Sequence, residues 1–97
     1  MAQDAASDLS LAVQYYKNGE YEQAIKKFHD AIQLARSSGN VQQEATGLSN
    51  LGAAQGQVGD YSAACATLQE ALILWRQMKD HKGECQALIS LGTALEH

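Results

Sequence analysis

Residues 48–76, LSNLGAAQGQVGDYSAACATLQEALILWR, decide the fold, because the chain has already presented the same pattern once. Leu51, Gly59, Tyr61, Ala64, Ala71, Leu74 and Arg76 repeat Leu11, Gly19, Tyr21, Ala24, Ala31, Leu34 and Arg36 at a constant offset of 40. A further copy then begins, with Leu48, Leu51, Gly52 and Ala54 recurring as Leu88, Leu91, Gly92 and Ala94. A period in this range marks a solenoid, whose units cannot bury their apolar faces alone and stack in order to do so. Such arrays bind other molecules far more often than they catalyse reactions.

The punctuation between repeats is helical. Proline is absent, and glycine stands beside polar residues at Asn18-Gly19, Gly39-Asn40, Gly59-Asp60 and from Asp80 to Gly83. Each cluster reads as a helix C-terminus followed by a tight turn, since glycine enters the left-handed region without a Cβ penalty. The segments between them, 4–17, 21–37, 41–57, 61–78 and 81–94, are predicted helices, and turns this short force neighbours to pack antiparallel. Leu11, Ala12 and Tyr15 form one apolar stripe and Ala24, Phe28, Ala31 and Ile32 another, matched by Leu51, Gly52 and Gln55 and by Ala64, Leu68, Ala71 and Leu72. Small residues alternate with large ones at the expected crossings, which is a packing code.

Composition bounds the rest. Seven Lys and Arg against eleven Asp and Glu leave a net charge of -4, without the basic footprint of a nucleic-acid binder. No apolar run is long enough to cross a membrane, and the first residues, MAQDAASD, lack the cationic start and apolar centre of a secretory signal, so a cytoplasmic location is expected. Cys65 and Cys85 have no zinc spacing and occupy the repeat positions of Ile25 and of Ala5 and Ala45, which points to packing rather than redox chemistry. Leu95-Glu96-His97 reads either as the junction to a purification tag or as the native end of a capping helix.

At Asn50-Leu51-Gly52, Gly59-Asp60-Tyr61, Ala64, Leu68 and Ala71-Leu72, and again at Gly19-Glu20-Tyr21, Ala24, Phe28 and Ala31, the chain resembles the tetratricopeptide repeat family, in its longer, forty-residue-period variety. The resemblance covers essentially the whole chain. It implies an all-α, right-handed superhelix of antiparallel helix pairs forming a single domain over 1–97: one unit at 1–40, a second at 41–80, and at 81–97 the first helix of a third or a cap. It also implies that the first helix of each pair lines a concave groove. Family members that hold the C-terminal carboxylate of heat-shock chaperones use two lysines, an arginine and two asparagines there. The corresponding places here hold Leu9, Val13, Asn50, Gln86 and Ser90, so only Asn50 matches and a carboxylate would lack charge-assisted hydrogen bonds.

Independently of the resemblance, no charged residue occurs from Ala45 to Gly59 or from Cys85 to Leu95. The charges gather instead at Lys26, Lys27, Asp30, Arg36, Glu70, Arg76 and Lys79. Leu48, Leu51 and Gln55 continue the core stripe, while Thr46, Ser49, Asn50, Ala53 and Gln57 form a second stripe of small and amide side chains. Asn50 stands out because its amide carries both a donor and an acceptor, as a peptide backbone does; Ser10 and Ser90 are its repeat equivalents. The competing reading is that Asn50 caps a local backbone group or faces water. Leu9, Val13, Tyr16 and Ile89 flank this face and could make apolar pockets, and Gln86 lies beside them. Gly47 and Gly56 are read either as places where a ligand or another subunit could approach or as merely tolerated glycines, and Gly52 as the crossing with its partner helix.

Chemistry beyond binding is thin. His29, His81 and His97 have no metal-ligand spacing, no phosphate-binding glycine loop occurs, and Trp75 reads as packing where the second pair meets the last helix. No catalytic residue, metal or cofactor is assigned. The expected function is that of a module holding a peptide or partner helix in an uncharged groove, as part of a larger scaffold or adaptor. The alternative is a self-association unit, a homo-dimer formed by the exposed end-helix leucines Leu88, Leu91 and Leu95.

Overall fold

The computed structural model describes residues 4–96, which form five helices: α1 (Ala5–Lys17), α2 (Tyr21–Ser38), α3 (Val41–Gln57), α4 (Tyr61–Gln77) and α5 (His81–Leu95). No strand occurs among the described residues. His97, and the start of the N-terminal stretch read above, lie outside the described residues.

Glu20, Asn40, Asp60 and Asp80 stand 20 residues apart, and each closes one helix while opening the next. Their backbone N–H groups donate to the carbonyls of Tyr15, Ala35, Gln55 and Trp75 at 2.8–2.9 Å, the six-to-one bond that ends a helix in a Schellman motif. Three of the same residues then cap the following helix. Asn40 Oδ1, Asp60 Oδ1 and Asp80 Oδ1 accept the backbone N–H of Gln43, Ala63 and Gly83, whereas Glu20 makes no side-chain cap. Asp4 caps α1 in the same way, accepting the Ser7 N–H at 2.8 Å, and this bond lowers its carboxyl pKa from the usual value. The left-handed residue before each closing position is Gly19, Gly39 and Gly59, with φ of 80°, 70° and 85°, and then Lys79 with φ of 56°. The fourth turn is therefore Met78-Lys79-Asp80. Gly83, read from sequence as part of that turn, lies inside α5 and serves another purpose, making room for the Trp75 indole.

Each helix packs against its sequence neighbour, and α3 also touches α1 and α5, so α1, α3 and α5 form one layer and α2 and α4 the other. The resulting slab measures 43 × 31 × 18 Å. Alanines are fully buried at the crossings: Ala12, Ala24, Ala45, Ala54, Ala64, Ala71 and Ala87. Removing bulk there lets backbones approach, and Phe28, Ile32, Leu48, Leu51, Leu68, Leu72 and Trp75 fill the space between. Gly52 fits Leu68: a Cβ on Gly52 would lie 2.5 Å from Leu68 Cγ, which accounts for its place in mid-helix. Gly47, read as either an approach point for a ligand or subunit or a merely tolerated glycine, is neither: it is closed by Ile32, whose Cγ1 would stand 2.8 Å from an added Cβ, and by Leu9.

The repeat does not confer equal burial. Leu51 is buried, but its equivalent Leu11, assigned to the core stripe, is 37% exposed, and Leu91 is half-buried. Cys85 is exposed although its equivalents Ala5 and Ala45 are buried. The reason is position in the stack. Helix α3 has helices on both sides, whereas α1 and α5 each have one flank open.

Two ion pairs are themselves repeated at the offset of 40. Arg36 Nε meets Glu44 Oε2 at 2.8 Å, and Arg76 Nε meets Glu84 Oε2 at 2.8 Å, each joining the last turn of one helix to the first turn of the next. Arg36 also reaches Glu70 on α4 at 3.4 Å. Because the arginines are about half-exposed, each pair contributes at most about 1 kcal/mol.

Candidate functional site: the α1–α3–α5 face

Small and amide side chains on one flank of α3 leave shallow space between α1, α3 and α5. Four adjoining hollows occupy it, and all twelve groove residues named from sequence line one or more of them. Leu9, Ser10, Val13, Thr46 and Asn50 line a hollow of about 480 Å³ between α1 and α3, with Gln14 and Lys17. Val13, Tyr16, Asn50 and Ala53 border a smaller one that reaches Phe28. Thr46, Ser49, Asn50 and Gln86 line a third, between α3 and α5. Tyr16, Ala53, Gln57, Ile89 and Ser90 line the fourth, of about 330 Å³, with Gly52, Gly56, Tyr61, Thr93 and Ala94.

Asn50 borders three of the four. It is half-exposed, and among the described residues its amide makes no hydrogen bond, so it does not cap a local backbone group. Ser49 is partly committed, since its hydroxyl oxygen accepts the Trp75 Nε1–H at 2.9 Å. That bond satisfies the indole at the α3–α4–α5 junction, where Trp75 is 7% exposed and lies against Gly83. At the other end, Gln57 Nε2 donates to the Tyr16 hydroxyl at 3.4 Å, and the Tyr16 ring meets Tyr21 edge-on with centroids 5.3 Å apart. A Cβ added to Gly56 would have no neighbour within 4 Å, so the hollow of about 330 Å³ is open there.

The face is not wholly without charge. Lys17 lines the hollows beside α1, and Asp80 and Lys82 line the one beside Trp75. The uncharged runs of α3 and α5 made the floor legible, but the rim comes from a helix end in α1 and the α4–α5 turn, outside those runs. Tyr61 and Thr93 were likewise missed, because Tyr61 belongs to the second-helix layer by periodicity and enters the hollow only at the helix end.

The end-helix residues separate into two groups. Leu88 and Leu95 are 43% and 65% exposed on the open flank, while Leu91 packs partly against the core. Ile89, 69% exposed, faces the groove instead.

Among the described residues, no group of three or more His, Cys, Asp or Glu side chains could hold a metal ion, and no helix is long and apolar enough to cross a membrane. Curated proteins include no match to the chain. A family model described as tetratricopeptide repeat, a helical fold for protein–protein interaction that is not itself catalytic, matches residues 3–72. With that match over more than half of its length and five antiparallel helices stacked in two layers, the chain belongs to the tetratricopeptide repeat family.

Proposed function

We propose that the α1–α3–α5 face binds an extended peptide segment of a partner protein, and that the chain works as one interaction module of a scaffold or adaptor. The observation that carries this reading is Asn50: a half-exposed amide, unpaired within the described residues, at the meeting point of three hollows. An amide there can donate to a peptide carbonyl and accept from a peptide N–H at once, fixing the segment's register. The hollows on either side, walled by Leu9 and Val13 and by Tyr16 and Ile89, suit small or medium apolar side chains. Lys17 at the α1 rim favours neutral or acidic segments over basic ones there, while Asp80 and Lys82 offset each other at the rim beside Trp75.

The test is selection of peptides from a random library, followed by titration into labelled protein. Amide resonances of α1, α3 and α5 should shift while those of the outer faces of α2 and α4 stay still. Asn50→Ala should weaken binding by about 1 kcal/mol or more, roughly fivefold or greater, with the melting temperature nearly unchanged. Peptides that map to α2 and α4, or affinity indifferent to Asn50→Ala and Ala53→Arg together, would overturn the assignment.

A second reading, self-association through α5, is favoured by the exposure of Leu88 and Leu95 on a flank that no other helix covers.

A further inference from the structure

The α1–α2 turn, Tyr16-Lys17-Asn18-Gly19-Glu20-Tyr21, recurs between α3 and α4 as Gly56-Gln57-Val58-Gly59-Asp60-Tyr61. Its backbone recurs too: Gly19 and Gly59 have φ of 80° and 85°, and the N–H groups of Glu20 and Asp60 donate to the carbonyls of Tyr15 and Gln55 at 2.8 and 2.9 Å. Position 56 therefore stands to Tyr61 as position 16 stands to Tyr21. In the first turn the Tyr16 ring fills that place and meets Tyr21 edge-on, with centroids 5.3 Å apart. In the second no side chain does so: a Cβ added to Gly56 would meet nothing within 4 Å, and the hollow of about 330 Å³ opens there with Tyr61 in its wall.

The hollows themselves follow the repeat. Val13, Tyr16, Lys17, Asn50 and Ala53 line the one of about 270 Å³ between α1 and α3, and Ala53, Gly56, Gln57, Ser90 and Thr93, each 40 residues further on, line the one between α3 and α5. Where the first has Val13, Tyr16 and Lys17, the second has Ala53, Gly56 and Gln57, so both bulk and charge are removed. Among the described residues no charged side chain lines this hollow, which suits it to a neutral group. Other glycines inside helices accommodate the chain's own side chains: Gly47 meets Ile32, Gly52 meets Leu68 and Gly83 meets Trp75. Gly56 weakens its helix relative to alanine without making room for any of them, and it opens onto the groove.

We infer that the hollow at Gly56 takes an aromatic side chain of the bound segment, its ring lying over Gly56 and meeting Tyr61 edge-on as Tyr16 meets Tyr21. This rests on the peptide-binding reading of the α1–α3–α5 face and gives the segment an anchor residue. Edge-to-face contact is a favoured arrangement of two rings, and the first repeat already displays it beside the same turn. Space is sufficient, since a cavity of about 150 Å³ admits a benzene ring. Without a side chain at 56, the hollow holds a ring as well as the aliphatic groups its walls alone would suit. Ala53 borders both this hollow and the one that Asn50 lines, so a ring seated here belongs to the same segment whose backbone meets the Asn50 amide.

The test is selection from one random peptide library on the wild-type protein and on Gly56→Tyr, which fills the hollow from within as Tyr16 does in the first repeat. Circular dichroism of the variant should be unchanged, because position 56 faces open space. Peptides selected on the wild type should share an aromatic position whose replacement by alanine weakens binding at least about tenfold. Gly56→Tyr should weaken the same peptides at least about tenfold and select without aromatic preference, whereas Gly56→Ala, which leaves room for a ring, should stay within about twofold of wild type. Peptides that shift the α1, α3 and α5 resonances and depend on Asn50, yet show no aromatic preference or ignore Gly56→Tyr, would overturn the aromatic anchor and leave the peptide-binding reading standing. If no peptide maps to this face, that reading fails and N-acetyltyrosinamide at about 10 mM, suited to the weak affinity of a single side chain, decides the anchor. Shifts at Gly56 and Thr93 in the wild type that vanish in Gly56→Tyr and are not produced by N-acetylleucinamide would uphold it; their absence would overturn it.

Discussion

Lys79 is the one described non-glycine residue with positive φ, at 56°, and it sits where the three earlier turns have Gly19, Gly39 and Gly59. A side chain in the left-handed region crowds its own backbone, and the Schellman bonds around it, from Lys79 N–H to Arg76 and from Asp80 N–H to Trp75, hold it there. Lys79→Gly should therefore raise stability by about 0.5–1 kcal/mol, a rise of roughly 2–8 °C in a chain of this size, and Gly59→Lys should lower it by a similar amount. Thermal melts of the two variants check this; a Lys79→Gly protein that melts lower would mean that the lysine makes a compensating contact. The glycine rhythm was legible in the sequence, and so was the helix break near residue 79. The identity of the turn residue was not, because Gly83 drew the eye while belonging to α5, against Trp75.

Between elements, the two equivalent glycines of α3 and α5 measure what a neighbouring helix does to one position. Gly52→Ala drives a methyl into Leu68, which is 1% exposed and has nowhere to swing. Overpacking of this kind costs about 1–3 kcal/mol, against about 1 kcal/mol gained in helix propensity, for a net loss. Gly92→Ala meets open space and keeps only the propensity gain, about 0.5–1 kcal/mol. Urea titration of both variants decides it, and equal effects would show that the Gly52 socket is looser than its packing suggests. The same asymmetry explains which parts of the fold sequence reasoning could reach. Helix number, helix limits and the Ala24, Phe28 and Ala31 core follow from periodicity, which is a property of each helix alone. Burial of Leu11 and Cys85 did not follow, because it depends on whether a neighbour exists beyond the end of the stack. The Arg36–Glu44 and Arg76–Glu84 pairs escaped for a related reason: they join residues eight apart across a turn, and only the turn geometry brings them within 2.8 Å. At the groove, the α3 and α5 floor was readable from its missing charges, while Lys17, Lys82 and Tyr61 enter from helix ends.

At the scale of the whole molecule, a stack in which each helix leans on the next distributes stability unevenly along the chain. Helix α3 touches α1, α2, α4 and α5, and the large buried side chains belong to α2, α3 and α4. Helix α5 buries only Ala87 and Ala94 fully, so little apolar surface resists its departure. Its detachment has a built-in reporter: the chain's single tryptophan, Trp75, packs against Gly83 of α5 while its Nε1–H is held by Ser49 of α3. Loss of α5 would wet one face of the indole before α3 and α4 separate. In dilute solution, the fluorescence transition in urea should therefore precede the helical transition followed by circular dichroism, and amide exchange should be fastest in α5 and slowest in α3. Coincident transitions in dilute solution, with uniform exchange across all five helices, would show that α5 unfolds with the rest as one cooperative unit.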